Sequence, residues 1–261
     1  STAEDHFGQP WRVENITGAS GVAAWKEMLS RPADGHTIFL GSPSTNIAVL
    51  KQPKPPVNVK RDIKIVGYIS AWGAILVSKP KQKWSDWKGF KAYAEKNPGK
   101  ITIGGSEAVN MGISYMLGKA GIRDKVTFVP YSSTSKAVAD FLGGHITLMG
   151  ATSSTAKTLI PKKAVAIANT GSIAELKGVP TAKDLGYSGI VFPRWVGVHP
   201  DTPDAIADAI SEKLGKLLAD KSVKGLIKKI GEKIVFLPRA KASPDYEALV
   251  DGIKGMTKKA K

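Results

Sequence analysis

The chain has 261 residues, 42% of them hydrophobic and 23% charged, enough to bury a core as one large domain or two ordinary ones. It has no cysteine, which excludes disulfides, thiolate nucleophiles and Cys-ligated metal sites; no apolar run reaches about 18 residues, so no transmembrane helix is expected. The net charge of +16 raises nucleic-acid binding. However, the lysines from Lys79 through Lys100 and from Lys213 through Lys233 are dispersed over solvated helix faces, with no RNP motif or zinc-finger spacing. A basic surface without a nucleic-acid partner is therefore expected.

Taken in order, Trp11–Asn15 reads as a strand. The turn Gly18-Ala19-Ser20-Gly21 leads into a helix through Leu29, and Asp34-Gly35 turns into a strand over Thr37–Leu40. Ile63–Ile69 and Ala74–Ser78 read as strands beyond a Pro-rich loop. Ser85-Asp86 caps a helix through Lys96, which Asn97-Pro98-Gly99 ends. Strand Ile101–Ile103 is followed by a helix to about Ala120, strand Val126–Val129 and helix Thr134–Leu142, closed by Gly143-Gly144. His145–Met149, Ala164–Ala168 and Val191–Val198 read as further strands. Thr202 is the expected N-cap of a helix with Pro203 at its first position, carrying the stripe Ile206, Ile210, Leu214 and Leu217. A second stripe, Val223, Leu226, Ile227 and Ile230, ends at Gly231. Strand Lys233–Leu237 precedes a last helix opening at Ser243-Pro244. The alternation of β and α elements implies an α/β fold with largely parallel sheets, whose ligand crevice lies beyond the strands' carboxyl ends.

Two Gly/Ser/Thr-rich turns carry the functional argument. Gly41-Ser42-Pro43-Ser44-Thr45 and Gly104-Gly105-Ser106-Glu107-Ala108-Val109-Asn110 each follow a strand and open a helix. Such turns offer backbone N–H groups to an anion. Ser42, Ser44 and Thr45 are candidate donors or plain helix caps. Tyr131, followed by Ser132, suits a pocket lip or simple packing. Trp72, between two strands at the expected domain boundary, suits stacking on a ligand body or packing between domains. Arg194 suits a bidentate pair with a distal carboxylate or a solvated position. Ser106 also sits in a near match to a nucleophile elbow, which makes an esterase the alternative, with His145 or His199 as base and Asp140 or Asp184 as acid. His6, His36, His145 and His199 show no metal spacing, and no phosphate-loop or dinucleotide fingerprint is present, so neither metal nor cofactor is expected.

Several collinear segments resemble one family. They are Val13–Gly21, Ala33–Ile38, Asn97–Ile101 with its turn, Val129-Pro130-Tyr131, Asp140–Ile146, Val179-Pro180-Thr181 and Trp195–Val198. Together they are similar to the periplasmic solute-binding proteins of tripartite tricarboxylate transporters, the TctC-like or Bug proteins. The resemblance implies a two-domain type II binding-protein fold: residues 1–75 with 198–261, and residues 76–197, joined by crossing hinge strands that close on a ligand. It implies a periplasmic, monomeric, non-enzymatic protein, its signal peptide removed, that hands a small organic carboxylate to membrane transporter subunits. It also points to Gly105, Ser106, Ala108 and Asn110 in the second turn, and to Ala151 and Thr152 in a third, as ligand contacts.

Two departures stand out. The family begins with one more strand and a Gly-rich loop, whereas this chain starts near the end of the following helix, at Ser1–Gly8, which points to truncation. Thr147 and Ala151-Thr152 stand where the family often carries acidic groups able to meet an amino group. That favours a di- or tricarboxylate or an aromatic acid over an amino acid.

Overall fold

The computed structural model describes residues 2–131, 134–160, 163–171, 176, 178–187, 190–229 and 232–258. The elements in chain order are α1 (Thr2–Phe7), α2 (Val22–Ser30), β1 (Phe39–Gly41), α3 (Pro43–Leu50), β2 (Lys64–Trp72), β3 (Ile75–Ser78), α4 (Trp87–Lys96), β4 (Ile101–Gly105) and α5 (Glu107–Lys119). They continue with β5 (Val126–Pro130), α6 (Thr134–Gly143), β6 (Leu148–Ala151), α7 (Ser153–Leu159), β7 (Val165–Asn169), β8 (Phe192–Val198), α8 (Asp204–Ala219), α9 (Lys221–Lys229), β9 (Lys233–Pro238) and α10 (Arg239–Lys258). The chain divides into two units. Unit 1 is Ser1–Ala71, Pro193–Lys229 and Ile234–Lys261; unit 2 is Trp72–Phe192 and Ile230–Lys233.

Unit 1 is a three-layer body around a sheet ordered β1-β8-β2-β9. Side chains alternate across it, as the two-residue period of a strand requires. Ile65 and Trp195 face a core with Trp25 of α2, Val49 of α3 and Tyr246 of α10. Val66, Val196 and Val198 face the other way, onto Ala207, Ile210 and Leu214 of α8. Trp195 is fully buried, with the rings of Trp25, Phe39 and Tyr246 at 5.5, 5.4 and 5.3 Å. Its Nε1–H donates to Asn46 Oδ1 at 3.1 Å, and Asn46 Nδ2 donates to the Tyr246 hydroxyl at 2.6 Å. The hydroxyl in turn donates to the Val59 carbonyl at 2.8 Å. This closed polar chain pins α3 to the sheet and fixes the turn that precedes it.

Unit 2 has a five-stranded sheet ordered β5-β4-β6-β3-β7. β4 runs parallel to β5 and β6, and β3 runs antiparallel to both β6 and β7. The carboxyl ends of β5, β4, β6 and β7 therefore share one edge with the start of β3, since Gly105 pairs with Pro130, and Ile75 with both Ala151 and Asn169. α5 covers one face, where a Cβ on Gly150 would meet Val109 and Ile113 at 2.6 and 2.7 Å. α6 and α7 cover the other through Ala137, Phe141, Ala156 and Leu159. The expectation of largely parallel sheets holds for β4, β5 and β6; β3 departs from it here, as β1 does in unit 1, where it pairs antiparallel with β8.

Four local expectations are corrected. Trp11–Asn15 forms no strand: Trp11 and Val13 are 40% and 78% exposed, and no strand among the described residues pairs with the segment. A β pattern without a neighbour has no ladder to satisfy its backbone. β6 begins at Leu148 rather than His145, because Gly144, at φ 89°, closes α6 and turns the N–H groups of Gly144 and His145 back to the Asp140 carbonyl. α8 is capped by Pro203, not Thr202: the Pro203 carbonyl accepts the Ala207 N–H at 3.0 Å, while Pro203 itself stays extended at ψ 141°. α10 opens at Arg239, and Pro244 lies inside it. The Arg239 N–H is satisfied at 2.9 Å by the Ser211 hydroxyl on α8, a partner far away in sequence. Ile230 and the closing residue Gly231 of the second stripe lie outside the described residues.

Candidate functional site

The parallel strand ends of unit 2 present a row of turns. The helices of the unit differ in one respect that bears on anion binding, whichever edge they start from. Asp86 caps α4 by accepting the Gly89 N–H at 2.7 Å, and Thr152 caps α7 by accepting the Thr155 N–H at 3.4 Å. Ser106, the N-cap of α5, makes no such bond. The Asn110 N–H is taken by the Ser106 carbonyl at 2.8 Å, which leaves the N–H groups of Ala108 and Val109 as the first-turn donors. An uncapped N-terminus on a 13-residue helix is a place where a carboxylate is welcome. Ala108 is fully buried as a whole residue, and its methyl group offers an anion no polar contact.

Asn110 is 8% exposed. Its Nδ2 donates to the carbonyls of Gly105 at 3.0 Å and Val129 at 3.1 Å, tying the ends of β4 and β5 together. Its buried Oδ1 has no protein partner. Gly105 is obligatory in this packing: a Cβ there would sit 2.8 Å from Asn110 Oδ1 and 3.1 Å from the Gly150 carbonyl oxygen.

The Tyr131 ring folds back over Gly104, where a Cβ would meet it at 2.7 Å and Ile146 at 2.4 Å. Its hydroxyl donates to Asp140 Oδ2 at 2.6 Å. That bond, with some desolvation, pushes the phenol pKa up to about 12. The hydroxyl is thus committed to α6, away from the strand ends. Ser132 lies outside the described residues. Ala151 is fully buried, and Thr152 spends its hydroxyl on its own helix. Trp72 is 5% exposed and stacks on Phe192 at 4.8 Å, its Nε1 buried without a partner. Thr147 pairs with Thr102, Oγ1 to Oγ1 at 3.1 Å, and joins β4 to the approach of β6.

In unit 1, the turn after β1 is built around Ser42, the N-cap of α3, which also makes no side-chain cap bond. Pro43 has no N–H, and the Thr45 N–H is taken by the Ser42 carbonyl at 3.0 Å, so Ser44 supplies the free first-turn donor. Thr45 is buried, with its hydroxyl against Gly21. Gly41 pairs with Trp195 across the β1–β8 ladder, which puts Ser42 and Arg194 at the next step of the same edge. This turn is a poorer anion site than the α5 turn, with fewer open N–H groups.

Sequence reasoning missed the turn after β7. Asn169 Oδ1 accepts the Gly171 N–H at 3.0 Å, and Thr170 Oγ1 accepts the Ala74 N–H at 2.8 Å while donating to the Ile190 carbonyl at 3.1 Å. The signal was available: Asn169-Thr170-Gly171 is another small polar turn directly after a strand. These bonds hold the β3–β7 end of the edge rigid. The esterase arrangement is not formed in unit 2, where Ser106 lies at the carboxyl edge and His145 and Asp140 lie beyond the opposite end of β6. Among the described residues no group of His, Asp or Glu could hold a metal ion, and no helix is long and apolar enough to cross a membrane.

Comparison with known proteins places this geometry in context. Residues 1–251 match the family described as the tripartite tricarboxylate transporter family receptor. BugT of Bordetella pertussis is 28% identical over 233 residues, 85% of this chain and 71% of that protein. A Rhodopseudomonas palustris protein solved with adipate superposes with a TM-score of 0.83 at 22% identity, covering 98% of this chain and 88% of the other. MatC from Rhodopseudomonas palustris, solved with bound malate, gives a TM-score of 0.76 at 18% identity, covering 98% and 90%. At such identities the solved structures establish the fold.

Proposed function

Since the chain belongs to the tripartite tricarboxylate transporter receptor family, a family of periplasmic solute-binding proteins and not of enzymes, we propose that it captures a small dicarboxylate at the uncapped N-terminus of α5 and delivers it to the transporter's membrane subunits. The observation that carries the proposal is the Ser106 turn: a serine N-cap that leaves its own helix uncapped, at the edge where four strand ends meet. The N–H groups of Ala108 and Val109 with the Ser106 hydroxyl bind one carboxylate. Asn110 positions that turn rather than touching the ligand, and Tyr131 holds the end of β5 from α6. In unit 1, the Ser42–Ser44 turn is a second, weaker donor turn of the same kind.

Two proteins of this fold were solved with adipate and with malate, which supports a dicarboxylate over an aromatic acid or a tricarboxylate. The net charge of +16 raises the local concentration of any such anion. Export to the periplasm is part of the same proposal.

The test is a thermal-shift and calorimetric screen of adipate, malate, citrate and benzoate. A ligand that binds only the folded state raises the melting temperature with concentration. Saturable stabilisation by a dicarboxylate is the expected result. Stabilisation by none of the acids overturns the proposal.

A further inference from the structure

The chain enters unit 2 at Trp72, and its main segment leaves at Phe192. These are the last residue of β2 and the first of β8, and their buried rings stack at 4.8 Å. One residue of unit 2 joins the two approaches. Thr170 donates its N–H to the Ala74 carbonyl at 2.8 Å and accepts the Ala74 N–H on Oγ1 at 2.8 Å. Its carbonyl accepts the Ile190 N–H at 2.8 Å, and its hydroxyl donates to the Ile190 carbonyl at 3.1 Å. Backbone and hydroxyl of a buried threonine are thus both spent on the entering and leaving segments, which leaves this end of the unit little freedom to yield.

Phe192 also reaches α5. Gly112 lies about 9 Å along the helix from the Ser106 cap. A Cβ there would meet Phe192 Cε2 and Cζ at 2.8 and 3.1 Å and the Ala74 methyl at 3.6 Å. The ring edge therefore rests on the helix backbone itself, with no side chain between them to give way. A hydrogen-bonded helix is stiff over two turns, so a shift at Gly112 is also a shift of the Ala108 and Val109 N–H groups.

We propose that Phe192 is a positioning residue for carboxylate capture: its seat on Gly112 fixes the first turn of α5 to the place where the chain enters and leaves unit 2. This role rests on the carboxylate site at α5. Phe192 is 2% exposed, so it acts through the helix and not on the ligand. Well-placed donors bind an anion only while they stay converged, and small misplacements of a site by its supporting residues are costly.

The experiment compares the calorimetric Kd for adipate and malate in the parent, Gly112→Ala, Phe192→Leu, the double variant Gly112→Ala/Phe192→Leu, and Gly215→Ala. The last is a matched control: a Cβ on Gly215 of α8, in unit 1, would meet the Phe236 ring at 2.8 Å, an equal collision away from α5. Gly112→Ala is expected to weaken binding about tenfold. The double variant, in which the shorter leucine makes room for the new methyl, should return to within about threefold of the parent. Gly215→Ala should melt lower yet keep the parent's affinity. The indole N–H resonance of Trp72, assigned by its loss in Trp72→Phe, should shift with adipate at the same Kd as the α5 amides, and far less in Phe192→Leu. Where Gly112→Ala melts too low to assay, Phe192→Leu is compared with the double variant, and refilling the gap should regain affinity. A parent that binds neither acid overturns the carboxylate site and this role with it. Parental affinity in Gly112→Ala, an equal loss in Gly215→Ala, a double variant no better than Phe192→Leu, or a Trp72 resonance that ignores a bound ligand overturns the role alone.

Discussion

Ser106→Asp separates the effect of helix capping from that of ligand binding, because the two should move in opposite directions. Ser106 sits at the N-cap of α5 without capping it. An aspartate there can accept a first-turn N–H and also meets the positive end of the helix dipole, a gain of about 0.5–2 kcal/mol in stability. The half-buried Glu107 in the same turn offsets part of this by like-charge repulsion. The new carboxylate occupies the place proposed for the ligand's. A ligand carboxylate forced to within about 4 Å of it, at an effective dielectric of about 20, loses about 4 kcal/mol, close to a thousandfold in Kd. The assays are the melting temperature of the free protein and the calorimetric Kd for adipate and malate. The expected result is a free protein at least as stable as the parent that no longer binds either acid. Parental affinity in S106D would refute the α5 site, and a less stable S106D protein would refute the claim that the helix is uncapped.

Three further substitutions test the supporting structure. Asn110→Ala removes the hydrogen bonds to the Gly105 and Val129 carbonyls and should destabilise the protein by about 1–3 kcal/mol in denaturant melts; unchanged stability would show that the clamp is dispensable. Gly41→Ala puts a Cβ 2.2 Å from the ring of fully buried Trp195, so a loss of about 1–3 kcal/mol or more and a blue or red shift in tryptophan emission are expected. Tyr131 has its folded pKa raised to about 12 by Asp140, above an unfolded value near 10. Its contribution to stability is therefore complete below about pH 10 and is lost as the pH rises towards about 12. Tyr131→Phe should lower stability by about 1 kcal/mol at neutral pH and make the alkaline decline shallower; an unchanged decline would contradict the Tyr131–Asp140 bond.

Elements whose signals are local were legible in the sequence. Asp86 caps α4 as its position before Trp87 suggests, and α4 ends at Asn97 before Pro98-Gly99. The α5 turn was legible for the same reason, because a glycine pair and a serine after a strand already specify it. What escaped depends on distant partners. Trp11–Asn15 has the pattern of a strand, but pairing is a property of its neighbours. α10 opens four residues early because Ser211, on another helix, supplies its cap. Tyr131 follows a strand end, as pocket residues do, yet Asp140 draws its hydroxyl away. Asn110 was legible as important but not as a clamp, since only the parallel register of β4 and β5 brings both carbonyls within its reach.

The central claim is that a carboxylate binds to backbone donors at the start of α5. It is tested most directly by following the amide resonances of the ¹⁵N-labelled protein during titration with adipate or malate. The claim predicts that the N–H resonances of Ala108 and Val109 shift furthest and saturate with a single Kd that matches calorimetry. Saturable binding that leaves those resonances in place, and moves others instead, would contradict it.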